Sequence, residues 1–143
     1  MKQKLANLDE LNLFVKKVLE KLKPEEKAVV LALHGNLGAG KTTFAQHLAR
    51  ELGVEGEITS PTFVIFKRYE TPKSEFKNLV HVDAYRLESK DELKPLKFDE
   101  VLKEEGTLVV IEWPENIEGA LPDSAHHVYL EIADDNSREV EYS

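Results

Sequence analysis

Hydrophobic residues recur every three or four positions near the amino terminus and predict an amphipathic helix from Asp9 to Leu22. The apolar positions of this stripe are Leu11, Phe14, Val15, Val18, Leu19 and Leu22. Asn7 precedes the stripe and Glu10 follows three residues later, a spacing typical of a capping box. Pro24 lies just past the last apolar position, so we expect the helix to end before it.

The apolar run Ala28–Leu33 and the segment Thr107–Trp113, which is apolar at four successive positions, predict strands that are buried in a sheet. A helical stretch from Thr42 to Leu52 follows the first run. Gly53 and Gly56 come directly after it and are typical of the residues that end a helix. This order of buried strands and helices is typical of an α/β protein.

The remaining polar and apolar alternation predicts two hairpins. Thr62–Tyr69 is rich in β-branched and aromatic residues, and Leu79–Tyr85 begins after only about nine residues. Because a parallel crossover needs a dozen or more residues, we expect these two strands to pair antiparallel. Val128–Ile132 and Glu139–Tyr142 flank a polar turn at residues 134–137 and predict the second hairpin. Between the hairpins, Asp91–Glu105 is expected to hold short helical pieces interrupted by Pro95.

The composition predicts one folded domain over residues 1–143, since 41% of the residues are hydrophobic and 32% are charged. The absence of cysteine excludes disulfides, thiolate metal sites and a cysteine nucleophile. No apolar run approaches the roughly 20 residues of a membrane span, and the amino terminus has no signal-peptide core. We therefore expect a cytoplasmic protein without a membrane contact.

The net charge of −8 argues against a large nucleic-acid interface. Acidic residues number 27 and basic residues 19, whereas nucleic-acid binders usually present a basic face to phosphates. If RNA is involved, we expect a partner protein to make most of the contacts.

Residues 35–42 read Gly-Asn-Leu-Gly-Ala-Gly-Lys-Thr and match the G-x-x-x-x-G-K-[ST] phosphate-binding loop, or P-loop. The loop lies between a predicted strand and a predicted helix, the context in which this motif binds phosphates. Its glycines allow backbone N–H groups to surround an anion, and the helix N-terminus adds a favourable dipole. We expect Lys41 to contact the β- and γ-phosphates and the Thr42 hydroxyl to hold Mg²⁺. The expected nucleotide-binding residues are Gly35, Asn36, Leu37, Gly38, Ala39, Gly40, Lys41, Thr42 and Thr43.

With this loop, the elements predict an α/β fold, a P-loop NTPase-like three-layer sandwich with a mixed parallel and antiparallel central sheet. Phosphoryl transfer also needs an acid at a neighbouring strand end and a sensor for the γ-phosphate. Glu112 ends one apolar strand, and Asp83 ends another that His81 interrupts. Both acids are candidates for the metal and for activating water, and the sequence does not choose between them. Thr62 in segment 59–62 lies where nucleotide switches carry a threonine, although an ordinary turn is the alternative.

Other residues suggest no separate chemistry. Trp113, followed by Pro114, is expected from its position alone to be a core aromatic at a strand end. Four histidines show no zinc-ligand spacing and are expected to be structural or solvated: His34, His81, His126 and His127.

Three segments together resemble the TsaE family, formerly YjeE, the small ATPases of bacterial tRNA threonylcarbamoyladenosine synthesis. The first is residues 35–43, and the third is residues 111–115 (Ile-Glu-Trp-Pro-Glu). The second combines residues 59–63 (Thr-Ser-Pro-Thr-Phe) with residues 81–87 (His-Val-Asp-Ala-Tyr-Arg-Leu). The resemblance extends from about Asp9 to Tyr142. It implies that the chain binds ATP and Mg²⁺ and hydrolyses ATP slowly when alone. It also implies work with the partner proteins TsaB and TsaD, which transfer a threonylcarbamoyl group to an adenosine of tRNA.

The resemblance also implies roles for single residues. Those on the phosphate and metal side are Lys41, Thr42, Thr62, Asp83 and Glu112. Those near the rest of the nucleotide are Trp113, Arg138 and the backbone around Leu8. Two departures from the family pattern stand out. Asn36 replaces the usual Asp, which removes a charge near the nucleotide. The sequence ends at Ser143, so the contacts that a C-terminal extension makes in some members are expected to be missing.

Three other function classes remain open on the sequence. A small-molecule kinase usually has an arginine-rich lid, whereas the four arginines here, Arg50, Arg68, Arg86 and Arg138, are not clustered. A GTPase switch usually carries an Asn-Lys-x-Asp element, which is absent. The third class is a nucleotide-gated binding module that barely turns over. No glutamine is obviously placed to orient water and Arg86 is the nearest candidate arginine finger, so we expect slow turnover stimulated by partners.

Overall fold

The computed structural model describes residues 1–56, 66–72 and 74–143. Its strands are β1 (Lys2–Leu5), β2 (Val29–His34), β3 (Phe66–Glu70), β4 (Asn78–Asp83), β5 (Thr107–Glu112), β6 (His126–Ile132) and β7 (Arg138–Tyr142). Its α-helices are α1 (Leu8–Lys21), α2 (Lys41–Glu51) and α3 (Phe98–Val101), and 3-10 helices span Lys90–Leu96 and Pro114–Ile117. Within this part of the chain, the strands form one seven-stranded sheet in the order β1-β7-β6-β2-β5-β4-β3.

The centre of the sheet is parallel and its edges are antiparallel. Strand β2 pairs in parallel with β5 and β6, and β5 pairs in parallel with β4. At the edges, β3 pairs antiparallel with β4, and β7 pairs antiparallel with β6 and β1. The α/β fold with a mixed sheet and the two hairpins are therefore confirmed. Residues 62–65 of the first predicted hairpin strand lie outside the described residues.

Side-chain alternation along the strands builds a core on each face of the sheet. On one face, α1 and α2 pack over the sheet, and the rings of Phe14 and Phe44 meet edge to face with centroids 6.1 Å apart. On the other face, apolar side chains of β2, β4 and β5 pack against Leu93, Phe98 and Ile117 from the short helical segments. The parallel strands are thus covered on both faces, which explains their nearly continuous apolar sequence.

Helix α1 begins as the sequence predicts, with one difference in its cap. The Asn7 side chain accepts a hydrogen bond from the Glu10 amide at 2.9 Å. The Glu10 carboxylate accepts from the amide of Ala6 at 2.5 Å, where a capping box would use Asn7. The cap therefore satisfies two backbone donors, but the second is one residue earlier than expected.

Two features of the fold depart from the sequence analysis. Residues Lys2–Leu5, which we did not predict as a strand, pair with β7, and Leu5 is buried at 2% exposure. Trp113, predicted as the last residue of a strand, has a left-handed backbone with φ of 60°, so β5 ends at Glu112. No helix within the described residues is long and apolar enough to cross a membrane.

Candidate nucleotide-binding site

The P-loop connects the carboxyl end of β2 to the first residue of α2. Residues 35–40 follow His34, and the first helical hydrogen bond runs from the Phe44 amide to the Gly40 carbonyl at 2.8 Å. The first turn of α2 carries no acidic side chain. Its own sequence therefore leaves the partial positive charge of the helix N-terminus available to an anion.

Two glycines are required by the path of this loop. A Cβ atom at Gly35 would lie 2.6 Å from the Leu130 carbonyl oxygen and 3.0 Å from Ala39 Cβ. Gly40, the N-cap of α2, has a backbone φ of 107°, which residues with a Cβ rarely adopt. The loop backbone thus passes close to β6 and enters α2 through a turn that favours glycine.

Lys41 is folded back over the loop. Its side chain is 5% exposed, and Nζ donates to the carbonyl oxygens of Gly35 and Asn36, the latter at 3.0 Å. Nζ also lies 3.8 Å from the centroid of the Trp113 ring, within the range of a cation–π contact. Burial lowers the pKa of the Lys41 ammonium, and the neighbouring carboxylates of Glu112, Glu115 and Asp83 act in the opposite direction.

Glu112 joins the loop to the sheet. It is the last residue of β5 and is 2% exposed. The Thr42 hydroxyl donates to its Oε1 at 2.9 Å, and Nε2 of His81 lies 2.6 Å from its Oε2. The first residues of α2 and the ends of β4 and β5 are therefore connected through one carboxylate.

Asp83 ends β4 directly beside Glu112, its partner in the parallel register. Its side chain is partly exposed, and Oδ1 accepts a hydrogen bond from the Tyr85 amide at 3.0 Å. The structure thus brings together the two acids predicted from separate strand ends. Thr62 lies outside the described residues.

His81 was predicted from the sequence to be structural or solvated, and not to belong to the site. The side chain is 1% exposed and contacts Glu112, so it is not solvated. A signal was present, because His81 lies two residues before Asp83 and side chains two apart share one face of a strand. This spacing was not used, because the apolar neighbours of His81 in the strand favour a packing role for its side chain.

Trp113, predicted from its position alone as a core aromatic and from the family resemblance to lie near the nucleotide, combines core packing with a contact to Lys41. The ring is partly buried and packs at the edge of the core, but it also faces Lys41 and lies 5.1 Å from the Tyr85 ring. Its left-handed backbone turns the chain away from β5 immediately after Glu112. This turn places the ring beside the P-loop.

Two cavities flank the P-loop. One of about 200 Å³ is lined by Leu8, Gly40, Thr43 and Arg138, among other residues. It unites Leu8 and Arg138, which lie at opposite ends of the sequence. The other, of about 540 Å³, extends from Gly35 and Asn36 along the open faces of β6 and β7. Leu37 at the loop tip is 75% exposed.

Comparisons with known proteins identify the family. The family model described as "Threonylcarbamoyl adenosine biosynthesis protein TsaE" matches residues 5–140. The chain is similar to the tRNA threonylcarbamoyladenosine biosynthesis protein TsaE of Rickettsia prowazekii (strain Madrid E), with 38% identity over 87% of this chain and 82% of the relative. With the protein of the same name from Bacillus subtilis (strain 168), it shares 36% identity over 100% of this chain and 85% of the relative.

A solved structure agrees with this result. The crystal structure of Bacillus subtilis YdiB superposes with a TM-score of 0.74 and 32% sequence identity, over 99% of this chain and 83% of that one. Sequence and fold therefore point to one group of proteins. The chain belongs to the TsaE family of threonylcarbamoyl adenosine biosynthesis proteins.

Proposed function

We propose that this chain is the ATP-binding, slowly hydrolysing component of the machinery that makes threonylcarbamoyladenosine in tRNA, acting with the proteins TsaB and TsaD. Family membership supports the pathway. The observation that carries the nucleotide chemistry is the 2.9 Å contact between the Thr42 hydroxyl and Glu112, which joins the P-loop to the acid at the end of β5. A P-loop and an acid from a neighbouring strand are two of the protein elements that this class of ATPase uses.

The loop fits a triphosphate. Lys41 is buried against carbonyl oxygens of its own loop, so an ammonium is already present where phosphate oxygens would enter. Loop amides at the N-terminus of α2, with no acid in its first turn, favour an anion at the same place. The close path of Gly35 past Leu130 fixes this shape of the backbone.

The side chains beside the loop also fit Mg²⁺. The Thr42 hydroxyl and the carboxylates of Asp83 and Glu112 are hard oxygen donors, which Mg²⁺ prefers. The described residues contain no group of three or more histidine, cysteine or acidic side chains arranged to hold a metal. This agrees with Mg²⁺ sites that combine one or two carboxylates with phosphates and water. When bound, the ion supplies positive charge that stabilises the phosphate oxygens.

Burial suggests different roles for the two acids. Both oxygens of Glu112 have partners and the side chain is 2% exposed, so it suits the metal side. Asp83 is partly exposed beside it and suits the orientation of an attacking water. We assign the water to Asp83, and slow turnover follows if an efficient site needs a further group from a partner.

The proposal is tested by ATP hydrolysis with the isolated chain, and then with TsaB, TsaD and tRNA added. Slow hydrolysis that rises when the partners are present is expected. Turnover of tens per second by the isolated chain would contradict the partner-dependent model. Calorimetry with ATP and GTP is the binding control, and no heat with either nucleotide in magnesium buffer would contradict the proposal altogether.

Substitutions of the two acids separate an ATPase from a binding module. Asp83→Ala and Glu112→Ala are compared with Asp99→Ala, an exposed acid on α3. If the first two still bind ATP but do not support tRNA modification, turnover is required. If both support modification as Asp99→Ala does, nucleotide binding alone suffices and hydrolysis is not part of the function.

A further inference from the structure

His81 is a buried histidine with one nitrogen bonded and the other without a partner. Nε2 lies 2.6 Å from Oε2 of Glu112. Nδ1 is also buried and has no hydrogen-bond partner among the residues that the structure describes. A buried polar atom without a partner destabilises the folded state, because it has lost its hydrogen bonds to water. The position therefore carries a polar side chain at the expense of stability, which suggests another reason for it.

The strand register explains how His81 reaches Glu112. His81 lies opposite Val110 on β5, two residues before Glu112, so the two side chains are diagonal neighbours on one face of the sheet. The flanking positions on that face, Leu79 and Leu108, are apolar and fully buried. A leucine at position 81 would match these apolar neighbours but would leave Oε2 of the buried Glu112 carboxylate without its partner.

The proton on His81 is set by its partner. An ionised carboxylate only accepts hydrogen bonds, so Nε2 must carry the hydrogen when it contacts Glu112. Thr42 donates to the other oxygen of the same carboxylate. Glu112 is thus held at both oxygens, one from α2 and one from β4, in a single orientation. Each carboxylate oxygen has two lone pairs, so each keeps one acceptor direction after these contacts.

We propose that His81 is the positioning residue of the site: it orients the Glu112 carboxylate, together with Thr42, so that the remaining acceptor directions face the metal side of the P-loop. This inference rests on the proposed function, because it concerns the binding of Mg²⁺ with the nucleotide. Partners that orient metal ligands from behind typically change metal affinity 10- to 100-fold when removed.

The first test separates positioning from packing. His81→Leu fills the space with an apolar side chain but removes the donor to the buried Glu112 carboxylate, so we expect its melting temperature to fall. Nucleotide affinity is then measured by calorimetry at increasing concentrations of Mg²⁺. We expect the Mg²⁺ concentration that gives half of the increase in nucleotide affinity to rise roughly 10- to 100-fold in His81→Leu. His81→Gln retains an N–H donor and is expected to recover most of this loss.

His126→Leu is the matched control. His126 is partly buried, whereas His81 is fully buried, and its one hydrogen bond is with the Tyr142 hydroxyl at 2.6 Å. It lies at the start of β6, away from the strand ends that carry the acids. We expect it to leave the Mg²⁺ dependence unchanged. A His81→Leu protein with the Mg²⁺ dependence of the wild type would overturn the positioning role. A fall in stability that matches the loss of Mg²⁺ response, with no recovery in His81→Gln, would show a packing role instead.

The second test needs no nucleotide and therefore stands apart from the proposed function. Long-range nitrogen–proton NMR spectra of the wild type report which ring nitrogen of His81 is protonated. We expect Nε2 to carry the proton, and its signal to move in Glu112→Gln, where the carboxylate is replaced by an amide. An unprotonated Nε2 in the wild type would overturn the inference. If calorimetry detects no nucleotide while Nε2 is protonated, the proposed function fails and the link between His81 and Glu112 stands.

Discussion

Substitution of Gly35 by alanine tests whether the P-loop is held against β6. The added Cβ would lie 2.6 Å from the Leu130 carbonyl oxygen, a backbone atom that belongs to a paired strand. It would also lie 3.0 Å from Ala39 Cβ, within the same loop. Since Leu130 is fixed by pairing with Val140, we expect residues 35–40 to move.

The size of the effect follows from this overlap. Overpacking of this kind typically costs roughly 1–3 kcal/mol, which corresponds to a fall in melting temperature of about 4–8 °C at the middle of that range. Displaced amides would lose hydrogen bonds to phosphate oxygens. One hydrogen bond to a charged group contributes roughly 1.5–3 kcal/mol, so the affinity for ATP should fall roughly 10- to 100-fold.

Two other glycines separate the overlap from backbone strain. Gly38 and Gly56 have φ of 81° and 84°, and a Cβ at either position would meet nothing within 4 Å. Alanine at both should cost about 1 kcal/mol through the left-handed backbone. Gly38→Ala lies in the P-loop and should also weaken ATP binding, whereas Gly56→Ala should not. Calorimetry and thermal unfolding of the three variants form the assay. Wild-type affinity and stability in Gly35→Ala would refute the close approach to β6.

Three further predictions concern the surroundings of the P-loop. Trp113 fluorescence should change when Mg²⁺-ATP is added, because Lys41 lies 3.8 Å from the ring centroid and is expected to move toward the phosphates. Lys41→Met should abolish the response, and an unchanged emission in the wild type would contradict the contact. Leu8→Ala and Arg138→Ala should weaken binding of ATP but not of inorganic tripolyphosphate in calorimetry, because we propose that adenine enters the cavity of about 200 Å³ that both residues line. An equal loss for both ligands would place these residues on the phosphates. Burial lowers the pKa of His34 below its usual value of about 6.5, and the nearby His127 lowers it further. His34 therefore binds a proton more readily in the unfolded chain than in the folded one, so stability should decrease as the pH falls through 6.5. Thermal unfolding from pH 7.5 to 5.5 should therefore be less pH-dependent in His34→Gln, and an identical slope would exclude His34 as a source.

Features encoded locally in the chain were predictable. The P-loop was recognised because its residues and the flanking strand and helix are contiguous in sequence. The antiparallel pairing of β3 and β4 followed from a connection too short for a crossover. The two acids were found because each ends an apolar strand, and the parallel order of β4 and β5 then brings them side by side.

Features that depend on distant pairing were not predictable. Strand β1 has four residues, of which three are polar, and its partner β7 lies at the far end of the chain. The contact of His81 with Glu112 depends on the register between β4 and β5, which no local pattern specifies. The left-handed backbone of Trp113 was not predictable for a local reason, because a residue before proline favours extended backbone and the preceding run is apolar.

The charges around Lys41 explain why the site should prefer the magnesium complex of a nucleotide to the nucleotide alone. Three carboxylates, Asp83, Glu112 and Glu115, lie near enough to this ammonium to influence its pKa. A free triphosphate would add further negative charge to a site where acids already outnumber this cation, at a position where burial strengthens repulsion. A divalent ion bound with the nucleotide would reduce that repulsion. Asn36 also lowers this repulsion, because an uncharged loop residue places one less negative charge beside a bound triphosphate than an aspartate would.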